Sequence, residues 1–167
     1  MIDVSRPVLL SKDHDTSSFD CGKEPLNRFL RAFALTNQAL GSSRTYVALS
    51  GDEIVGYYSL TPSSVAHAEA PPRVSQGLAK NEIGVILMAR FAVDRNNQGK
   101  GIGRSLFLDA MARAFHASNV IGGRAFLVHA KDEEAKAFYS KFNRMPSADH
   151  PMHLFMLFKD IRKTLGL

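Results

Sequence analysis

Residues 94–106 read DRNNQGKGIGRSL, with glycine at 99, 101 and 103 among three cationic side chains, Arg95, Lys100 and Arg104. Bare backbone beside positive charge suits an anion. A missing Cβ lets the ligand approach the N–H groups closely, and phosphate is the natural ligand. Two familiar phosphate loops do not fit. A dinucleotide fingerprint started from Gly99 needs glycine where Arg104 stands, and a Walker A loop needs Ser or Thr where Gly101 follows Lys100. What remains is Gln98-x-x-Gly101-x-Gly103, and an ordinary glycine-rich turn is the bland reading of the same six residues.

Two further side chains invite a chemical reading. Arg90 interrupts the apolar run VILMARFAV (85–93), and an arginine inside a central strand costs several kcal/mol unless its head is paired or reaches a wet cleft. Glu82 and Asp94, at the ends of the run, are the nearby acids. A cationic cleft would suit an anionic acceptor, and a structural ion pair explains Arg90 equally well. Tyr139, in EEAKAFYSKFNRMP (133–146), is a phenol of reference pKa about 10, protonated at neutral pH and able to serve as an acid untuned. Beside Phe138 and Phe142 it also reads as a core tyrosine.

These residues need elements to hold them. The run 85–93 reads as a buried strand, and Leu106, Ala110 and Ala114 recur at helical spacing beyond Gly103, with Asp109 and Arg113 one turn apart. The glycines therefore fall on a strand-to-helix turn, where the positive end of a helix dipole and outward N–H groups favour an anion. Around this unit the pattern predicts a strand over 6–10 and a helix from Pro25 to about Leu40 with Leu26, Phe29, Leu30 and Phe33 on its apolar face. Strands RTYVALS and IVGYYSLTP come next, joined by a turn at Gly51–Asp52. Residues 62–82 read as a loop with some strand near Val65. A strand over 124–130 leads to a helix capped by Asp132, with Ala135, Phe138, Tyr139 and Phe142 on one face, and a last strand covers 153–159.

At 167 residues and 45% apolar content, one domain over 1–167 is expected. No 18-residue apolar stretch exists and MIDVSRPVLLSKDHD lacks a signal-like apolar core, so no membrane association and a cytoplasmic location are expected. Cys21 is the single cysteine, which excludes an internal disulfide and a cysteine-cluster metal site, and the six histidines show no ligand spacing. No metal is expected. The net charge of +5 is uneven: residues 1–94 hold nine Lys and Arg against ten Asp and Glu, a net of −1, and residues 95–167 hold twelve against six, a net of +6. The basic half contains the glycine loop, and its surplus suits a polyanionic second substrate.

Gln98-x-x-Gly101-x-Gly103 after a strand resembles the GNAT superfamily of acyl-CoA-dependent acetyltransferases, and the order of elements agrees. The resemblance implies an α+β (α/β/α) fold: a mixed, mostly antiparallel twisted sheet with helices on both faces and a splay between strands 4 and 5. It implies acetyl-CoA as acetyl donor. Main chain of Phe91, Ala92 and Val93 would pair with the pantetheine arm, and backbone of Gln98, Gly99, Lys100, Gly101, Ile102, Gly103 and Arg104 would hold the pyrophosphate. Phe138 is assigned to the cofactor and Tyr139 to protonating the departing thiolate. The family pattern A-x-x-F-Y-x-x-x-G-F is met at Ala135, Phe138 and Tyr139 and broken at Asn143 and Arg144.

FDCGKEPLNRFLR, SSRTYVAL, GYYSL and LMARFAVDRNNQGKGIG are similar to the GNAT toxins of bacterial toxin–antitoxin modules, over roughly Phe19 to Phe158. That similarity implies acetylation of the α-amino group of aminoacyl-tRNA, with Arg90 as a candidate tRNA contact, a ribbon-helix-helix antitoxin as partner, and a homodimer. A GNAT enzyme for a small amine or protein N-terminus, and a non-catalytic acyl-CoA-binding module, are the alternatives.

Overall fold

Branched and aromatic residues dominate the segments that pair as strands, where side chains stacked on a pleated surface favour them. The computed structural model describes residues 3–142, 144–147 and 149–167. Its seven strands lie in the order β1-β2-β3-β4-β5-β7-β6. They are β1 (Val8–Leu9), β2 (Arg44–Ser50), β3 (Glu53–Val65), β4 (Ile83–Val93), β5 (Ala125–His129), β6 (Met145–Pro146) and β7 (His153–Leu157). β2 pairs antiparallel with β1 and β3, and β7 antiparallel with β5 and β6, whereas β4 and β5 run parallel. Their parallel register covers Val85↔Ala125 to Met88↔Val128, and β4 continues past it to Val93.

The contacts divide the chain into two compact units. Met1–Thr61 with Ala89–Ala110 builds its core from Leu10, Phe19, Leu26, Phe29, Leu30, Ala34, Val47, Ile54, Tyr57 and Ala92. Tyr57 is fully buried, meets Phe19 edge-on at 5.5 Å and donates its hydroxyl to the Leu26 carbonyl at 2.7 Å. The predicted helix over 25–40 forms as α1 (Glu24–Arg28), a π-helical turn (Phe29–Phe33) and α2 (Ala34–Ala39). The amide of Ala34 donates to the Phe29 carbonyl, five residues back. That extra residue in the turn rotates the remainder of the helix, so Ala34 is buried and Phe33 is 46% exposed. Phe33 therefore leaves the apolar face that a 3.6-residue period assigned to it.

Pro62–Met88 with Met111–Leu167 packs Ala70, Val74, Ile83, Val85, Ala125, Leu127, Phe155 and Leu157 together. The expected loop over 62–82 holds the end of β3, a single 3₁₀ turn at His67–Glu69 and the short α3 (Pro72–Ser75). Arg124 fastens α3 by donating to the carbonyls of Val74, Arg73 and Gln76 at 2.8–3.3 Å. α4 (Ile102–Ile121) begins in the first unit and ends in the second. α5 (Glu133–Tyr139) starts as expected, with the Asp132 carboxylate accepting from the Ala135 amide at 2.8 Å.

Two strands end earlier than the sequence pattern suggests. The first is confined to Val8–Leu9, and the last stops at Leu157, where α6 (Phe158–Leu165) takes over. Asp160 lies in the first turn of α6, Arg162 and Lys163 in the last, and Gly166 closes it in the left-handed conformation at φ 68°. Asn143, one of the two departures from the family pattern, lies outside the described residues. No helix among the described residues is long and apolar enough to cross a membrane.

Candidate active site

The first unit carries the glycine turn. β4 ends at Val93, and Asp94 caps a short 3₁₀ turn, Arg95–Asn97, through its carboxylate and the Asn96 amide at 3.0 Å. The other Asp94 oxygen accepts from the Asp20 amide at 3.2 Å, and the Arg95 amide donates to the Asp20 carbonyl at 2.8 Å. The Arg95 guanidinium also reaches the Asp20 carboxylate at 3.3 Å. Gln98 donates its side-chain amide to the carbonyls of Val93, at 3.0 Å, and Cys21, at 3.4 Å. These contacts fix both flanks of the turn and leave Gln98 to offer its backbone, not its side chain, to a ligand.

Gly99 and Gly101 take φ values of 77° and 82°, a left-handed region costly for other residues. A Cβ at either would meet no atom within 4 Å, so the space beside the backbone is open. Gly103 lies inside the first turn of α4, where helical geometry aims the opening N–H groups of Ile102 and Gly103 out along the axis. Lys100 and Arg104 are exposed on the same stretch. Open backbone, a helix N-terminus and flanking cations fit the pyrophosphate of an acyl-CoA.

Upstream, Phe91 meets Phe107 edge-on at 6.0 Å, and Ala92 is buried. A Cβ at Gly56 would come within 3.2 Å of the Ala92 carbonyl oxygen, so glycine there lets β3 press closely on β4. Of the two readings of Arg90, the head that reaches solvent is the one observed. Arg90 is exposed, its guanidinium lies 4.5 Å over the Phe29 ring and donates to the Ala89 carbonyl at 3.1 Å, and Asp94 is occupied with capping. Pleating turns the stem outward, so the strand bears no buried charge.

Phe138 and Tyr139 fall in the second unit, apart in the chain from the turn residues. Tyr139 is 5% exposed, and Phe138 meets it edge-on at 5.3 Å and meets Phe142 at 5.9 Å. Burial pushes the Tyr139 phenol well above its ordinary range, so the group stays protonated and able to donate. The same unit gathers three histidines that sequence spacing left scattered. His129 on β5 stacks on His153 of β7 at 3.9 Å, and His150 stacks on His153 at 4.6 Å. The direct register His129↔His153 brings the first two together, and no chain-local signal announces it. Desolvation lowers both pKa values, followed for His129 by the charges of His153 and His150, and for His153 by that of His150. No metal-ligand cluster of three occurs among the described residues.

An antiparallel sheet interrupted by one parallel pair, with a glycine turn leading from β4 into a long helix, is the architecture of an acyl-CoA-dependent acetyltransferase. The chain belongs to the GNAT family: residues 41–143 match its acetyltransferase domain. It is 43% identical over 166 residues to a tRNA-acetylating toxin of Mycobacterium tuberculosis (strain ATCC 25618 / H37Rv), covering 99% of each chain. Among solved structures, AtaT complexed with acetyl-methionyl-tRNAfMet matches with a TM-score of 0.89 at 28% identity, over 97% of this chain and 99% of that one. A tyrosine-to-phenylalanine variant of KacT matches with a TM-score of 0.89 at 26% identity, over 96% and 98%. A similar variant of AtaT bound to the C-terminus of the antitoxin AtaR matches with a TM-score of 0.84 at 27% identity, over 99% of each chain.

Proposed function

We propose that this protein is an acetyl-CoA-dependent N-acetyltransferase that acetylates the α-amino group of aminoacyl-tRNA and so inhibits translation, as the toxin of a toxin–antitoxin module. The end-to-end likeness to a tRNA-acetylating toxin carries this reading, and the open, left-handed backbone at Gly99 and Gly101 supports it. Residues 1–167 are taken as one catalytic domain working in the cytoplasm as a homodimer. The complex of AtaT with AtaR supports an antitoxin as partner, here of the ribbon-helix-helix type.

Bound acetyl-CoA supplies an acetyl thioester. Backbone N–H groups from Gln98 to Arg104 would hold its pyrophosphate, main chain of Phe91, Ala92 and Val93 would pair with its pantetheine arm, and Phe138 is assigned to it. An α-amine beside an ester has a pKa near 8 or below and loses its proton with little help, which suits a site where Asp94 is engaged in capping. The amine nitrogen would bond to the acetyl carbon as the carbon–sulfur bond breaks. Tyr139 would give its proton to the sulfur, the proton from nitrogen would pass to solvent, and Tyr139 would be reprotonated from solvent.

The test is incubation of purified protein with labelled acetyl-CoA and, separately, charged tRNA, deacylated tRNA, small amines and N-terminal peptides. Label should appear on charged tRNA and be released with the aminoacyl group by mild base. Label on amines or peptides alone would replace this reading with the small-amine or N-terminal acetyltransferase, and acetyl-CoA binding without any transfer would leave a binding module.

A further inference from the structure

We infer that the π-helical turn presents a cation–aromatic platform, Arg28, Phe33 and Arg90, that holds the unpaired 3′ end of the acceptor RNA. This assignment rests on the proposed tRNA substrate and deepens it by naming where the single strand lies. The π turn, Phe29–Phe33, carries the platform: its extra residue turns Phe33 to solvent at 46% exposure, at a position where regular helical packing would bury it. π turns interrupt regular helix bonding and occur often at functional sites.

Two guanidinium groups are already seated on this turn. Arg28 lies 5.5 Å over the Phe33 ring, and Arg90 lies 4.5 Å over Phe29. Arg31, in the same turn, is held to Glu24 at 2.8 Å, so a local acid engages Arg31 and not the other two. A guanidinium stacked on a ring keeps its donors in a plane pointing away from the ring, with side-chain freedom already spent. The exposed ring of Phe33, on the same turn as the two seated guanidinium groups, matches the base and phosphate of a single strand, because every base offers a π face and every phosphate accepts from arginine. The end of a tRNA that carries the amino acid is single-stranded. An acidic protein segment would satisfy the arginines and leave the exposed ring unexplained.

The platform thus sits outside the +6 half of the chain, in a segment whose net charge gave no hint of nucleic acid. Binding should be measured with deacylated tRNA and with the same tRNA trimmed of its unpaired 3′ nucleotides. Phe33→Ala should weaken intact tRNA about fivefold or more and trimmed tRNA little, with Phe33→Tyr restoring binding. Arg28→Gln with Arg90→Gln should lower the slope of log affinity against log salt by about 1.4, as expected for two single-strand phosphate contacts. Acetyl-CoA affinity should be unchanged throughout, which shows that the variants fold. Phe33→Ala binding both RNAs like the parent, or losing only the antitoxin, would overturn the platform alone. A parent protein that binds neither RNA would instead sink the tRNA reading itself.

Discussion

Tyr139 is the residue on which the proposed chemistry turns, and burial keeps its phenol protonated. Tyr139→Phe keeps the ring and its contact with Phe138 while removing the acid. Turnover should fall about 10²-fold or more with acetyl-CoA affinity nearly intact, in line with the usual contribution of a general acid. Single-turnover kinetics beside calorimetry would separate the two effects, and retained turnover would return Tyr139 to a packing role. Gly101 tests the proposed binding of the pyrophosphate. At φ 82° a valine is strained, and its branches would occupy the open space the phosphate needs. Gly101→Val should weaken acetyl-CoA about tenfold or more, roughly 1.4 kcal/mol, in a protein that still melts cooperatively. Both residues are visible in the sequence because their chemistry is local: a glycine turn and a phenol on a helix face declare themselves by type and spacing. The capping duty of Asp94 and the stacked, exposed setting of Arg90 are not visible there, since each depends on segments tens of residues away, at Asp20 and Phe29.

At the scale of elements, two features shape stability in ways a regular pattern does not. The π turn makes Leu30 and Phe33 unequal. Leu30→Ala should cost about 2–5 kcal/mol, as a buried truncation does, whereas Phe33→Ala should cost less than about 1 kcal/mol. Denaturant unfolding measures the contrast, and equal costs would show that the helix continues in a regular register. The second feature is the pairing of β5 with β7, which stacks His129 on His153. Both pKa values are lowered in the folded chain, so at acid pH the unfolded chain binds more protons, and stability present above about pH 6.5 is lost as pH falls through the folded values. His150 adds to the repulsion and Glu69 opposes it at His153. Melting temperature should therefore drop between pH 7.5 and 5.5, and His129→Phe should flatten that dependence. An unchanged slope in the variant would show that the stack does not govern acid stability.

For the whole molecule, expression of this chain alone in bacteria should arrest growth, and tRNA recovered from arrested cells should carry N-acetylated aminoacyl groups. Tyr139→Phe should abolish both, and co-expression of the proposed antitoxin should relieve the arrest. Arrest that persists in the variant, with unmodified aminoacyl groups, would set the toxin reading aside. The sequence by itself determined the family, the strand–glycine turn–helix unit and most element positions, because hydrophobic period, capping residues and turn glycines act over a few neighbouring residues. It also held the signals of α6, an acidic first turn, a basic last turn and Gly166, behind an apolar run that reads as strand to its end. Only the tertiary structure decided the π turn, the outward set of Phe33, the seating of Arg90 and the meeting of three histidines. These depend on which distant segments pack and pair, and a one-residue change of register reverses the direction of a side chain without altering the pattern that encodes the element.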